Sequence, residues 1–415
     1  MFLRGYRLLF GDYSGLAMAQ LLIHDLSCFL FYAALVRFGF PVSAAFFATV
    51  PIVIADNYFA VVMTDSLGAS IGLIIIALLL RISTNPSGTS FLTWFALTFF
   101  TTLSYHVRPA NLPFICIVPL LGVLIPLMRN SHQRLPTGWR NALKMGTVYS
   151  VATVVPFLAF CLIRLVLVGH FGLVSFGGIN VIAVTAPMIK PETFSLLSAD
   201  TRPLAEAIYK EKNKIIQDKE ISDSYIYIHN FRMHDKRITE ALYQKYGAWV
   251  SEPAAHVLYG EDSVKINAMF TKLSHELIRI YPKEYLRWII SGFYNSFQTM
   301  NKEFFPAGYV FPILVLTILI RFVAGPITLK TAPYLEFDYH FKILTIISLI
   351  TYAALTLLFV LVEPPLTRYV YPTILFVLPL LAFFIWRIGI ITLTVPAHPA
   401  THEQAHDQNN KGPIS

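Results

Sequence analysis

The chain has 415 residues, of which 55% are hydrophobic and only 13% charged, and it carries a net charge of +8. A soluble domain carries about a quarter charged residues, whereas this chain repeatedly lacks charge over runs approaching the roughly 20 residues that cross a bilayer as a helix. An ordinary soluble enzyme is therefore excluded, and the basic balance does not imply nucleic acid, because much of it lies in short loops between apolar runs, where it sets topology.

In chain order, Arg4 and Arg7 precede Gly11, Asp12 and Tyr13, with no small-residue cleavage site. No removable signal peptide is expected. Apolar runs follow at about 16–36, 40–54, 66–80, 90–104, 110–128, 146–168, 308–324, 343–362 and 369–386. The expected fold is an all-α polytopic membrane protein of about nine transmembrane helices, with a mainly helical outer segment inserted between the sixth and seventh. Its parts are an N-terminal bundle (1–168), the outer segment (169–307), C-terminal spans (308–391) and a polar tail (392–415) with too little apolar content for a core. Cys28, Cys116 and Cys161 lie inside apolar runs without metal-ligand spacing and read as buried small hydrophobes, with no disulfide framework.

Basic residues set the orientation. The loop 129–144 carries Arg129, Arg134, Arg140 and Lys144 and is expected inside. Counting from it, Arg37, Arg81, Arg321, Lys330, Lys342 and Arg387 also fall inside, which makes the C-terminus cytoplasmic. The loop 55–65, the turn 105–110, the segment 170–305 and the turn 363–368 fall outside. Arg4 and Arg7 also land outside, against the rule.

Within the outer segment, 202–249 reads as soluble and helical. In 268–297, Phe270, Leu273, Leu277 and Ile280 keep helical spacing, Pro282 opens a new turn, and Tyr285, Trp288 and Ile289 continue the apolar face. Lys272, Arg279, Lys283 and Arg287 supply basic side chains. This reads as a helix in the headgroup plane, with a soluble helix packed on its own domain as the alternative.

Three outer clusters could carry chemistry. Asp56 and Asp65 bracket one loop, with Tyr58, Phe59 and Met63 between them. A carboxylate there can act as a general base or bind a divalent cation such as Mg or Mn, Asp65 being the metal ligand if there is one. The alternative is that Asp65, with Thr64 and Ser66, caps the helix that follows. In the second cluster, Tyr105 to Asn111, Arg108 could hold a phosphate in bidentate fashion and His106 could orient or protonate it; Arg108 could equally snorkel to headgroups. The third holds Glu363, Arg368 and Tyr369, an acid, a phosphate-holding base and an aromatic; the first two could simply pair, and Tyr369 could be an interfacial anchor. Near the middle of the first span, His24 and Asp25 should face the bundle interior and find a partner such as another helix's hydroxyl or a basic side chain. With few ionisable residues in the other spans, a structural hydrogen bond is favoured over a proton path. No GxxxxGK[ST] or GxGxxG occurs, so nucleotide-driven transport and dinucleotide chemistry have no support.

With these residues in place, the chain resembles the superfamily of multi-span glycosyltransferases with the GT-C fold, which includes protein O-mannosyltransferases and the aminoarabinose transferases of lipid A. MTDSLGASIGLIIIALLLR resembles the family's second outer loop, where an acidic residue precedes a helix. TTLSYHVRPANLPFICIVPLL resembles its Arg-Pro helix start, and EPPLTRYVYPTILFVLPLLAF its late Glu, Arg-Tyr and Pro turn. FGLVSFGGINVIA and HELIRIYPKEYLRWIISGF are weaker echoes. The resemblance implies transfer of a sugar from a polyprenyl-phosphate donor to a lipid, glycan or protein acceptor on the outer face of a membrane, here expected to be a bacterial inner membrane. Asp65, Arg108, Glu363 and Arg368 carry over by position. The family's first helix, and the first outer loop with its essential acid, have no counterpart in this sequence; only Asp12 precedes the first span.

That chemistry needs a cavity at headgroup level, a base for the acceptor hydroxyl, and cations for the departing phosphate. Asp65 is the expected base or metal ligand, and Arg108 and Arg368 the expected phosphate holders. Two other readings stand beside this one: a polysaccharide polymerase or ligase using lipid-linked sugars, and a non-catalytic transporter or assembly subunit.

Overall fold

The computed structural model describes residues 15–54, 64–85, 88–133, 139–173, 177–217, 245–303, 332–362, 373 and 375–383. Every regular element among them is helical. The helices are α1 (Leu16–Phe38), α2 (Val42–Ile54), α3 (Thr64–Thr84), α4 (Phe91–Val107), α5 (Phe114–Gln133), α6 (Trp139–Val168), α7 (Gly177–Thr185), α8 (Arg202–Gln217), α9 (Glu252–Tyr259), α10 (Ser263–Ile280), α11 (Pro282–Glu303) and α12 (Ala332–Val362). Five stretches are long and apolar enough to cross a membrane: Leu16–Phe38, Asp65–Thr84, Pro109–Met128, Trp139–Val168 and Tyr339–Leu361. Two expected spans are shorter helices, α2 at 13 residues and α4 at 17. The run 308–324 lies outside the described residues, and of 369–386 only 373 and 375–383 are described.

The main core is built around α3. Leu73, Ile75, Ile76, Leu79 and Leu80 are all but fully buried. They share a core with Phe31 and Leu35 of α1, Phe114 and Leu121 of α5, Leu344 and Val360 of α12, and Phe376 and Phe383. A helix apolar on every side belongs in the centre of a bundle, and α3 takes that place. α1 and α6 instead expose large apolar side chains, Leu22 and Phe29 on the first, Val166 and Leu167 on the second. Glycines set the closest approaches. A Cβ at Gly122 would lie 2.2 Å from Tyr149 Cδ2, and one at Gly292 would lie 2.4 Å from Val360 Cγ1. Small residues play this part where helices associate in lipid.

Prolines inside these helices leave carbonyls without their usual donor, and neighbouring side chains supply one. Pro119 cannot serve the carbonyl four residues before it, and the Thr153 hydroxyl of α6 donates to that oxygen, Ile115 O, at 3.1 Å. Near the end of α12, the carbonyls of Val360 and Leu361 would look to positions 364 and 365, both proline. Trp288 Nε1 donates to Val360 O at 2.7 Å, and the Tyr285 hydroxyl donates to Leu361 O at 2.8 Å. In lipid an unmet backbone group costs several kcal/mol, so these bonds fix which helices lie side by side.

His24 behaves as the sequence suggested and Asp25 does not. His24 is fully buried and donates through Nε2 to Ile52 O at 3.1 Å, an acceptor in the last turn of α2. Its Nδ1 lies 3.3 Å from Ser70 Oγ on α3. Because a carbonyl only accepts, Nε2 carries a proton. Asp25, one residue on and so about 100° around the helix, is exposed on the side that also presents Leu22, Leu26 and Phe29. The expectation that both residues face the interior fails for Asp25, because the step of about 100° from His24 carries it onto the exposed side of α1. The cysteines are free; Cys28 and Cys161 are buried, and Cys116, expected to be buried, is exposed on α5.

The segment 177–303 has a second core, in which α7, α8, α9 and α10 surround Leu204, Ile208, Phe270, Leu273 and Leu277. The stretch 268–297, read as one helix in the headgroup plane, is broken at Tyr281, where Pro282 starts α11. The apolar face of α10 is covered by this second core. α11 runs antiparallel to α12, with Trp288 at Val360 and Ser296 Oγ 3.1 Å from the Tyr352 hydroxyl.

One clasp holds the start of α8 to α10. Glu276 accepts from Thr201 Oγ1 at 2.6 Å, Ser198 Oγ at 2.8 Å and Ser198 N at 3.1 Å. Beside it, Lys272 Nζ reaches Asp200 Oδ2 at 2.6 Å. Burial would raise the Glu276 carboxyl, but these hydrogen bonds and the Lys272 ammonium hold it below its ordinary value of 4.5. A carboxylate depressed in the folded state stabilises above its unfolded value and loses that contribution as pH falls through the folded one. Acidification below 4.5 should therefore loosen α8 from α10, by less than about 1 kcal/mol after solvent screening. Glu276→Gln should be less stable at pH 7 and lose less between pH 7 and acid, as read from thermal unfolding followed by circular dichroism; equal acid sensitivity in parent and variant would remove Glu276 as the cause.

Candidate functional site

Asp65 and Arg108, 43 positions apart in sequence, meet. Arg108 Nε lies 2.7 Å from Asp65 Oδ1, with side chains 7% and 15% exposed respectively. Local chemistry brings each to the meeting point. Pro109 disfavours helical backbone in the residue before it, so Arg108 turns extended (φ −144°, ψ 109°) and α4 stops there, with the Arg108 amide still bonded to Ser104 O. A single 3₁₀ turn, Pro109–Asn111, then leads toward α5. On the other side, α3 begins at Thr64, so Asp65 lies in its first turn, where a negative charge is favoured by the helix dipole. The Asp65 carboxylate is turned to a guanidinium.

A second bond runs beside the ion pair. Asn111 Nδ2 donates to Gly68 O at 2.9 Å. A Cβ at Gly68 would lie 2.9 Å from that nitrogen and 3.2 Å from Arg108 Cβ, so only glycine lets the 108–111 turn lie so close to α3. One turn further along α3, a Cβ at Gly72 would meet Phe376 Cζ at 2.8 Å and Phe114 Cζ at 2.9 Å. Phe376 is further held by Ser348 Oγ, which donates to its carbonyl at 2.6 Å. The two glycines thus form a flat strip along which 108–114 and 376 both pack. This convergence was not anticipated from the sequence, although the Gly-x-x-x-Gly spacing of 68 and 72 was there as a signal.

The other expected residues fall differently. His106 does not join Arg108; its ring sits edge-on to Phe160 of α6 at 4.3 Å and beside Tyr105 at 4.9 Å. Asp56, Glu363, Arg368 and Tyr369 lie outside the described residues. Among the described residues no three His, Cys, Asp or Glu side chains converge as metal ligands. Asp65 faces a cation already, and a guanidinium at 2.7 Å opposes a second one. The described donor set does not fit Mg or Mn.

No protein-family model matches the chain. No curated protein and no solved structure matches it either.

A mostly buried pair couples strongly, because removing one partner strands the other's charge. Asp65→Asn and Arg108→Gln should each destabilise by about 2–4 kcal/mol, and the double variant by less than their sum. A thermal-unfolding double-mutant cycle measures this, and strict additivity would show that the contact carries no energy. Gly72→Val should cost more than Gly72→Ala, by about 1–3 kcal/mol of added overpacking, in the same assay.

Proposed function

We propose that this chain is a membrane glycosyltransferase that moves a sugar from a polyprenyl-phosphate donor to a lipid, glycan or protein acceptor at the outer face of a membrane. One observation supports the reading above the others. Three segments that resemble the GT-C transferases, separated in sequence, converge on α3: the acidic helix start at Asp65, the Arg-Pro turn at Arg108, and the late stretch that contributes Phe376. In this reading nine spans cross a bacterial inner membrane, 170–305 and the turn 363–368 lie outside, and the C-terminus lies inside.

The donor's tail would lie in lipid and its phosphate at headgroup level. Arg108 would supply the charge that stabilises the departing phosphate. Asp65 would act first as the residue that aims the guanidinium, and as the acceptor's base once donor phosphate draws Arg108 away. Proton and charge then balance within the pair: the acceptor hydroxyl gives its proton to Asp65, its oxygen bonds the sugar's anomeric carbon, and the polyprenyl phosphate leaves with the bonding electrons toward Arg108. Asp56, Glu363, Arg368 and Tyr369 remain the further candidates from the sequence, with Arg368 as a second phosphate holder.

A second reading follows from the same pair. A closed ion pair flanked by the Asn111–Gly68 bond is also what a purely structural clasp looks like, as in a non-catalytic assembly subunit or transporter. The test separates them. Surface glycolipids and glycoproteins are profiled by mass in cells lacking the protein, then restored with the parent chain or with Asp65→Asn. Loss of one sugar, restored by the parent but reduced at least about 100-fold with Asp65→Asn at equal protein level, is the expected outcome. An unchanged profile, or full restoration by Asp65→Asn, makes the pair a clasp and the chain a non-transferase.

A further inference from the structure

The far end of α3 holds a feature that this function does not use. Between the last turns of α1 and α3 and the start of α4 lies a cavity of about 390 Å³, lined by Arg37, Arg81, Thr84, Asn85, Gly88, Thr89, Ser90 and Thr93. Among the described residues no Asp or Glu lines it. Arg37 and Arg81 are both exposed, and neither forms an ion pair within the described residues.

The wall opposite the arginines is a braced loop. Asn85 Oδ1 accepts from Gly88 N at 3.1 Å, and Thr89 Oγ1 donates to Asn85 O at 2.7 Å. Ser90 caps α4, accepting from Thr93 N at 3.3 Å, with Thr93 Oγ1 3.0 Å from Ser90 Oγ. These bonds hold Asn85, Gly88, Thr89, Ser90 and Thr93 in place before any ligand arrives, so little of their ordering would have to be gained on binding. The N-terminus of α4 adds a positive dipole end on the same side. Topology alone asks for basic residues near a membrane face. It does not ask that two of them share a cavity whose described lining is otherwise a row of hydroxyls and an amide.

We infer that this cavity binds a phosphate-bearing anion, with the guanidinium groups of Arg37 and Arg81 as its clamp and Asn85, Thr89, Ser90 and Thr93 as its polar floor. Guanidinium forks match phosphate oxygens in bidentate geometry. The charge pattern puts this end of the bundle on the cytoplasmic side, so the phosphate is either the headgroup of an anionic phospholipid or a soluble phosphate compound. The site is independent of the proposed transfer chemistry at the other end of α3.

The experiment uses the full chain in nanodiscs. One arm exchanges phosphatidylcholine for phosphatidylglycerol and counts retained lipid by native mass spectrometry. The other titrates inorganic pyrophosphate into phosphatidylcholine nanodiscs at constant ionic strength and follows thermal stability. Retention in the first arm assigns a lipid headgroup, and a saturable shift in the second assigns a soluble ligand; either supports the site. The double variant Arg37→Gln, Arg81→Gln should weaken the positive arm at least about tenfold, while Arg140→Gln, an exposed arginine outside the cavity, leaves it unchanged. Arg81→Lys keeps the charge that topology needs, and so guards against loss of insertion; it should still weaken binding about threefold or more. Binding in neither arm, equal loss with Arg140→Gln, or undiminished binding by Arg81→Lys would overturn the inference.

Discussion

In an apolar solvent every backbone carbonyl must find a donor inside the protein, and that constraint governs how this bundle is put together. The chain places prolines within or just after several of its apolar helices. Each proline removes one donor, and the opened carbonyl becomes a fixed polar point on an otherwise featureless surface. Thr153, Tyr285 and Trp288 answer three such points. Apolar contacts alone would let helices slide along one another at small cost. A hydrogen bond to one particular oxygen does not, so the pattern of prolines sets helix neighbours and their register together.

The same economy of polar contacts explains the Asp65–Arg108 pair. Pro109 forces the end of α4, and the resulting turn delivers Arg108 and Asn111 side by side to the glycine face of α3. Remove the glycines and the turn stands too far off; remove the proline and Arg108 continues along a helix. Two functionally suggestive side chains are thus placed by three residues with no chemistry of their own.

The all-helical class, five long apolar helices and the burial of His24 were legible in the sequence, because apolar runs and a lone mid-span histidine have few other outcomes. The pairing of Asp65 with Arg108 was not, since both were read as separate tools for a ligand and nothing in either segment encodes the distance between them. Asp25 and Cys116 were misplaced for a related reason. A membrane helix is apolar on all sides, so periodicity does not say which face is covered. Residues 268–297 showed the opposite difficulty. Their apolar face was plain, but periodicity names a face and not the surface that covers it. The Pro364-Pro365 pair was a readable signal that went unused, because two successive prolines after a span announce two open acceptors at its end.

That last feature bears on how the protein is made. Residues 282–303 leave the ribosome before 360 and 361 exist, so during synthesis Tyr285 and Trp288 have no oxygen to seize. The 177–303 region can complete its own core, held by Glu276 and the apolar face of α10, while α11 waits. Only when α12 has been threaded does its proline-opened end offer the two acceptors. The two bonds that tie α11 to α12 are therefore made late in biogenesis, and a nascent chain stalled before residue 360 would hold α11 by its packing on Val184 of α7 without them.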